Sequence, residues 1–200
     1  MNVEERRQAF VARTREYLGH GHDRFAAARL VAEAAGDLVG PALDIGTGKG
    51  LLAMALARRG LEVVSVDVSR EDLELAGLLA REAGLEERTR FLLHDARSLP
   101  FADGSFGCAL MMDVLHHLEE GRPVLAEMSR LVGPSGRIVI ADFTEEGFAL
   151  VSRVHRAEGR EHPRSPVTVE AATALLAELG WRVAGETHGH LQRVVWLRRK

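Results

Sequence analysis

Short apolar runs alternate with helical patterns from residue 41 onward, and this rhythm constrains the fold more than any other feature of the chain. Such alternation is typical of a parallel sheet built from strand–helix units. The predicted strands of this series are Ala42–Gly46, Leu61–Asp67, Arg90–Asp95, Phe106–Met112 and Arg137–Phe143. Helices are predicted after Leu51, after Ser69 and over Val124–Leu131.

The last part of the chain breaks this rhythm. A polar segment over 144–166 precedes a predicted helix over 168–179. Two closing strands, 181–188 and 192–199, are separated only by Gly189-His190-Leu191, which is too short for a parallel crossover. They are therefore predicted to pair as an antiparallel hairpin, where a dinucleotide-binding domain would end on a parallel sixth strand.

One domain is expected, because 200 residues with 46% hydrophobic side chains suffice for a single core. We expect an α/β fold, a three-layer αβα Rossmann-like sandwich with a seven-stranded, mostly parallel sheet and an antiparallel last strand. The predicted division of 1–200 is a cap of two amphipathic helices (1–40), a core (41–143), an insertion (144–166) and a helix with the hairpin (167–200).

Composition and charge narrow the function. The chain has 26 basic and 29 acidic residues and a net charge of −3, which argues against a nucleic-acid partner. No apolar run reaches the roughly 18 residues of a membrane span, and the first ten residues lack the apolar core of a signal peptide. The single cysteine, Cys108, excludes an intrachain disulfide and favours a cytoplasmic location.

The stretch Leu43–Gly50, LDIGTGKG, is the most informative motif. Its glycines allow a sharp strand-to-helix turn and close approach of a ligand, and the helix start offers free N–H groups. The spacing is GxGxG, and Leu51 stands where a dinucleotide fingerprint has its third glycine. A phosphate loop of the GxxxxGK[ST] type is absent from the sequence.

Two acidic residues accompany this loop. Asp44 stands two residues before the first glycine, and Asp67 closes the next predicted strand 23 residues later. That spacing fits a carboxylate that accepts hydrogen bonds from both hydroxyls of a ribose. Because Asp44 would repel phosphate, a ligand with a ribose and a cationic, phosphate-free tail suits the site, and S-adenosylmethionine is such a ligand.

With these motifs the chain resembles the class I S-adenosylmethionine-dependent methyltransferases that act on small molecules. The resemblance covers Pro41 to Phe143 and the C-terminal helix and hairpin, and extends only loosely to 1–40. The matching stretches are LDIGTGKG, HDARSLPF after the third strand, DVLHHL after the fourth, LVGPSGRIVIADF into the fifth and ELGWRV before the hairpin. The turn GPSG departs from the usual PGG of the family.

The resemblance implies a cofactor role for each matching position. The implied cofactor-binding residues are Asp44, Gly46, Thr47, Gly48, Gly50, Asp67, Val68, Asp95, Ala96 and Asp113. The glycines would pass beneath the methionine and ribose, and Asp67 would bind the ribose hydroxyls. Val68 would pack on the adenine, and Asp95 would accept from its amino group. Asp44 would anchor the loop or contact the cofactor's amino group, while Asp113 would border the substrate cavity.

Some of these residues could instead have a purely structural role. Asp95 could bond its own backbone in a loop, and Asp113 could cap a turn. His116 and His117 are candidates for a general base, because imidazole titrates near neutrality. The alternative is that one packs under the cofactor loop and the other is solvated.

Several other side chains could serve either a functional or a structural role. His20 and His22, between the cap helices, could line a substrate mouth or be structural. Phe10 and Tyr17 are expected to pack rather than to stack on a ligand. Neither His-x-His pair has a convincing third ligand, so no metal site is expected. An anion site or a solvated face would explain Arg153, Arg156, Arg160 and Arg164.

The expected function is methyl transfer from S-adenosylmethionine to a small-molecule acceptor by in-line displacement in a desolvated cavity. The cap and the insertion are expected to form the lid that selects the acceptor. A homodimer is possible, with neither a nucleic-acid partner nor a membrane span. The alternatives are a non-catalytic module that binds S-adenosylmethionine or a nucleoside, and an NAD-dependent oxidoreductase.

Overall fold

The computed structural model describes residues 1–37, 40–157, 159 and 165–200. The helices are α1 (Val3–Gly19), α2 (Arg24–Ala34), α3 (Leu51–Arg58), α4 (Arg70–Glu82), α5 (Gly121–Leu131), α6 (Glu145–Ala157) and α7 (Val169–Glu178). The strands are β1 (Ala42–Ile45), β2 (Val63–Asp67), β3 (Thr89–Leu93), β4 (Phe106–Met112), β5 (Val132–Phe143), β6 (Trp181–Gly189) and β7 (Gln192–Arg199). Short 3₁₀ turns cover Glu86–Arg88 and Leu115–His117.

One seven-stranded sheet has the strand order β3-β2-β1-β4-β5-β7-β6. The first five strands are parallel, and β7 is antiparallel to both β5 and β6. The predicted fold class and terminal hairpin are therefore confirmed. The chain leaves β1 toward β2 and returns on its other side as β4. Between the carboxyl ends of β1 and β4 lies the switch point where such sheets bind ligands.

Both faces of the central strands are buried, and this produces three layers. Successive residues of β4 alternate between two cores, with Leu110 on one side and Met111 on the other. Helices α2, α3 and α4 contribute to the first core, and α5 and α7 to the second. This arrangement holds the strand ends, which carry the predicted site, on a rigid frame.

The predicted insertion 144–166 contains a helix that the sequence analysis did not assign. Helix α6 buries Gly147, Leu150, Val151 and Val154, and its aliphatic side chains pack with Tyr17 of α1. The insertion and the cap thus meet at one small core. The end of the segment, including Arg160 and Arg164, lies outside the described residues.

Strand β5 begins at Val132, five residues before the predicted start. The prediction of a turn over Gly133–Gly136 is therefore wrong. Pairing with β4 jumps from Phe106↔Val132 to Cys108↔Arg137, so the extra residues form an irregularity within the strand. A bulge of this kind adds residues to one strand without ending the pairing.

Candidate functional site

The glycine loop joins β1 to α3 at the switch point. Gly46 has φ +71°, and an added Cβ would lie 2.4 Å from Val114 Cγ2. Gly48 has φ +51°, and an added Cβ would meet nothing within 4 Å. Gly46 therefore lets the loop lie against the segment after β4, whereas Gly48 leaves room on the open side. Gly50 packs toward α4, where its Cβ would lie 3.0 Å from Ala76 Cβ.

Asp44 is buried beneath this loop. The Ser65 hydroxyl donates to Asp44 Oδ2 at 2.6 Å, and the oxygens of Ser65 and Thr47 are 2.9 Å apart. Burial raises the pKa of Asp44 to about 6. Asp44, Ser65 and Thr47 thus form one hydrogen-bonded network, which links the Asp44 carboxyl to the loop residue Thr47.

Asp67 lies at the end of β2, facing the loop. Its Oδ2 accepts from the Gly48 N–H at 2.8 Å, and its Oδ1 accepts from the Ser69 N–H at 2.9 Å. Each oxygen keeps capacity for another hydrogen bond. The next residue, Val68, is 74% exposed, so an apolar side chain lies beside an oriented carboxylate.

Asp95 follows β3 and is engaged by its own loop. Oδ1 accepts from the Arg97 N–H at 2.9 Å, and both carboxylate oxygens accept from the Arg97 guanidinium. These hydrogen bonds lower the pKa of Asp95 to about 2. The pair is exposed and contributes little to stability. Asp95 therefore bonds to its own loop in this structure, as the structural alternative expects. Asp95 and Ala96 also border the same cavity as Asp67.

Asp113 follows β4 in the left-handed backbone region, with φ +58°. Its Oδ1 accepts from Gln192 Nε2 at 2.7 Å. Burial, followed by the charge of Asp142, raises the pKa of Asp113 to about 7. Strained backbone of this kind is concentrated at functional sites. Gln192, at the start of β7, was not predicted from the sequence as a site residue.

His116 is buried in the turn after β4 and is held by Asp142 of β5. The His116 Nδ1 and Asp142 Oδ1 atoms are 2.6 Å apart, and Asp142 Oδ2 accepts from the His116 N–H at 3.1 Å. The Phe143 N–H donates to Oδ1 at 2.8 Å. Because a carboxylate only accepts, the hydrogen is assigned to Nδ1, and in a neutral ring the lone pair is then on Nε2. Sequence reasoning missed Asp142.

The other histidines differ from His116. His117 lies nearer the solvent, and partial burial followed by the charge of His116 lowers its pKa. His22 is 2% exposed, and its ring contacts the rings of Tyr17 and Phe143 edge-on. His20 is exposed. His22 is therefore part of a wall built by the cap.

One cavity of about 1380 Å³ brings these side chains together. The predicted residues that border it are Asp44, Gly46, Thr47, Gly48, Asp67, Val68, Asp95, Ala96, Asp113, His116 and His117. Gly50, which packs against α4, is the exception. The cap adds Arg6, Phe10, Arg13, Tyr17, His22 and Arg24, and α6 adds Val151 and His155.

Asp113→Asn is expected to stabilise the fold progressively as pH rises from 4 to 8. The folded-state pKa of about 7 lies above the ordinary 3.8, so the stability contributed by the protonated carboxyl is lost as pH rises through that window. Asn does not titrate and tolerates left-handed backbone. Melting temperatures of both proteins across this pH range test the change. A constant difference would contradict the burial argument, and Glu71→Gln, at an exposed position, is the control.

The mostly parallel sheet has a glycine loop at its switch point, an acid at the end of β2 and a large adjoining cavity. These features define an α/β protein built to bind a nucleoside-like ligand. Residues 43–140 match the family model described as "Methyltransferase domain". The methyltransferase GfsG of Streptomyces halstedii is 42% identical over 150 residues, covering 68% of this chain and 53% of the relative. A demethylmenaquinone methyltransferase of Clavibacter sepedonicus is 37% identical over 144 residues, covering 70% and 56%.

Solved structures share the fold. A Pyrococcus horikoshii protein superposes with a TM-score of 0.73 at 22% identity, covering 89% of this chain and 90% of that one. The glycopeptide N-methyltransferase MtfA complexed with S-adenosyl-L-methionine has a TM-score of 0.71 at 17% identity, covering 88% and 94%. The chain belongs to the S-adenosylmethionine-dependent methyltransferase family. It spans about half the length of the curated relatives above.

Family membership decides against the NAD-dependent oxidoreductase. Two negative observations concern residues 1–37, 40–157, 159 and 165–200. No helix there combines the length and apolar character that a bilayer span requires. Among those same residues, no group of three or more His, Cys, Asp or Glu side chains is arranged to hold a metal ion.

Proposed function

We propose that the protein transfers a methyl group from S-adenosylmethionine to a small-molecule acceptor. The observation that carries the proposal is the pairing of Gly48 and Asp67 at the edge of the cavity. The Gly48 N–H fixes one oxygen of the Asp67 carboxylate, and the glycine leaves open space in which a ribose would fit. Val68 suits an adenine face, and Asp113 borders the side where the methionine would lie.

The chemistry is an in-line displacement. The acceptor's lone pair would form a bond to the methyl carbon as the methyl–sulfur bond broke, and the electrons of that broken bond would remain on sulfur as a neutral sulfide. The sulfonium is activated by its own charge, so the protein's main contributions are proximity and exclusion of water. The cap and α6, which border the cavity together, would supply that exclusion and select the acceptor.

His116 is the residue that would take a proton from the attacking group. Asp142 fixes the ring in the tautomer that leaves the lone pair on Nε2, the arrangement a general base requires. His116 also borders the cavity. Asp142 is then a positioning residue, since it acts through His116. His117 is the second candidate, because it borders the same cavity with a lowered pKa.

Calorimetry and a labelled-methyl assay test this function. We expect binding of S-adenosylmethionine and S-adenosylhomocysteine, weaker binding of NAD, and label transfer to at least one member of a panel of phenols, carboxylic acids, amines and thiols. Binding without transfer across the panel would favour the non-catalytic module. Preference for NAD would overturn the proposal.

Asp67→Ala is expected to weaken S-adenosylhomocysteine binding by about 1–3 kcal/mol, the cost of leaving buried hydroxyls unpaired. Part of the loss comes through Gly48, because the substitution also removes the acceptor for its N–H. Calorimetry measures the change. Glu71→Gln, an exposed change of the same charge in the first turn of α4, should leave affinity within about twofold. Equal affinities for Asp67→Ala and the unaltered protein would remove Asp67 from the cofactor site.

A further inference from the structure

Arg24, the first residue of α2, places its guanidinium against the inner face of α1. The guanidinium carbon is 5.4 Å from the ring centroids of both Phe10 and Tyr17. Its only hydrogen bond within the described chain runs from Nη1 to Thr14 Oγ1 at 3.3 Å. A guanidinium has five N–H donors, so one neutral hydroxyl leaves most of its binding capacity unused.

Arg24 also has no paired anion in the part of the chain that the structure describes. Within residues 1–37, 40–157, 159 and 165–200, no carboxylate lies within the 4.0 Å of a salt bridge to this side chain. The adjacent carboxylate, Asp23, instead accepts from the N–H groups of Phe25 and Ala26 at the start of α2. Two arginines of α1 are paired in contrast, since Arg6 contacts Glu74 at 2.7 Å and Arg7 contacts Glu82 at 2.8 Å.

Arg24 is half-buried, so the absence of a paired anion among the described residues is significant. Desolvation is the largest influence on Arg24 and lowers its pKa. A buried charge without a partner is costly, and proteins tolerate it where a ligand supplies the partner. Arg24 borders the cavity that holds Asp113 and His116. Asp113 interacts with it only beyond salt-bridge distance, so a group from the cavity can approach the guanidinium.

We infer that Arg24 binds a carboxylate of the methyl acceptor. The inference rests on the proposed function and names the substrate class as small organic acids. Guanidinium donors match a carboxylate in a two-point geometry that a lysine ammonium does not reproduce. Phe10 and Tyr17 lie within cation–π distance of the guanidinium and provide an apolar wall for the acceptor's body, while the remaining N–H donors are available to the ligand.

Paired probes test this inference on the full chain saturated with S-adenosylhomocysteine. The probes are benzoate and 2-naphthoate, each compared with its amide by calorimetry or ligand-observed NMR. We expect at least one carboxylate to bind more tightly than its amide. Arg24→Gln should weaken that carboxylate by about 10- to 100-fold, and Arg24→Lys by less. Arg29→Gln, an exposed change on the same helix, should stay within about twofold.

The outcomes separate the inference from the function. If neither carboxylate binds, or if Arg24→Gln keeps the preference over the amide, Arg24 is not an acceptor-binding residue. Retained S-adenosylhomocysteine binding in the Arg24 variants would show that they are folded. If the unaltered protein does not bind S-adenosylhomocysteine, the proposed function fails independently of Arg24.

Discussion

Replacing His116 by Gln is expected to slow methyl transfer by about 10²- to 10⁴-fold, the usual contribution of a positioned general base. Gln cannot accept the acceptor's proton, although it fills a similar volume. The His116 ring is bonded to Asp142 and is not among the implied cofactor-binding residues, so S-adenosylhomocysteine affinity should change by less than about threefold. Single-turnover transfer from labelled S-adenosylmethionine to the acceptor selected from the panel measures the rate.

Asp142→Asn tests the positioning role. Three N–H groups point at the Asp142 carboxylate, so an NH₂ group there faces a donor in either orientation. We expect the His116 tautomer to change, as nitrogen-15 NMR of the imidazole would show, together with a lower rate and an altered pH profile. A purely structural role would lower the melting temperature and leave the tautomer of the folded protein unchanged.

His117→Gln distinguishes the two histidines. His117 is more exposed than His116, so its substitution should cost less. A larger loss from His117→Gln than from His116→Gln would transfer the role of base to His117. Equal full activity of both variants would show that the acceptor loses its proton without help from either residue.

The sheet was predictable because its signals are local. The bounds of β4, Phe106–Met112, coincide with the apolar run that predicted them, and the three-residue connection fixed the direction of β7. Helix α6 was missed because its composition is polar. Yet its buried positions, 147, 150, 151 and 154, follow the i, i+3, i+4, i+7 spacing of an amphipathic helix. The spacing was therefore present in the sequence.

The site also contains residues that the sequence predicts and residues that it does not predict. The glycines, Asp44 and Asp67 lie in contiguous motifs, and the structure places them together at the strand ends. Gln192 and Arg24 lie in no such motif, and their roles, like that of Asp142, come from tertiary contacts. Asp142 reaches His116 across 26 positions because β5 lies beside β4, and Asp142 sits in an apolar run that predicts only a strand. Local patterns predict a cofactor site better than an acceptor site for this reason.

Gly46→Ala is expected to destabilise the protein by about 2–4 kcal/mol, because the substitution combines left-handed backbone with a steric overlap. The added methyl would lie 2.4 Å from Val114 Cγ2 and 3.0 Å from its Cγ1, with φ at +71°. The loop must then move away from the segment that carries Asp113 and His116. Denaturant unfolding measures the stability, and calorimetry the accompanying loss of cofactor affinity.

Two companion variants divide this effect into its parts. Gly48→Ala carries the left-handed strain without overlap, so it should cost less stability while its methyl occupies the ligand side of the loop and lowers affinity. Adding Val114→Ala to Gly46→Ala removes the two methyl carbons that the new Cβ would strike. The double variant should therefore lose less stability than the sum of the losses measured for the two single variants. If the two losses simply add, overlap with Val114 is not the reason that Gly46 must be glycine.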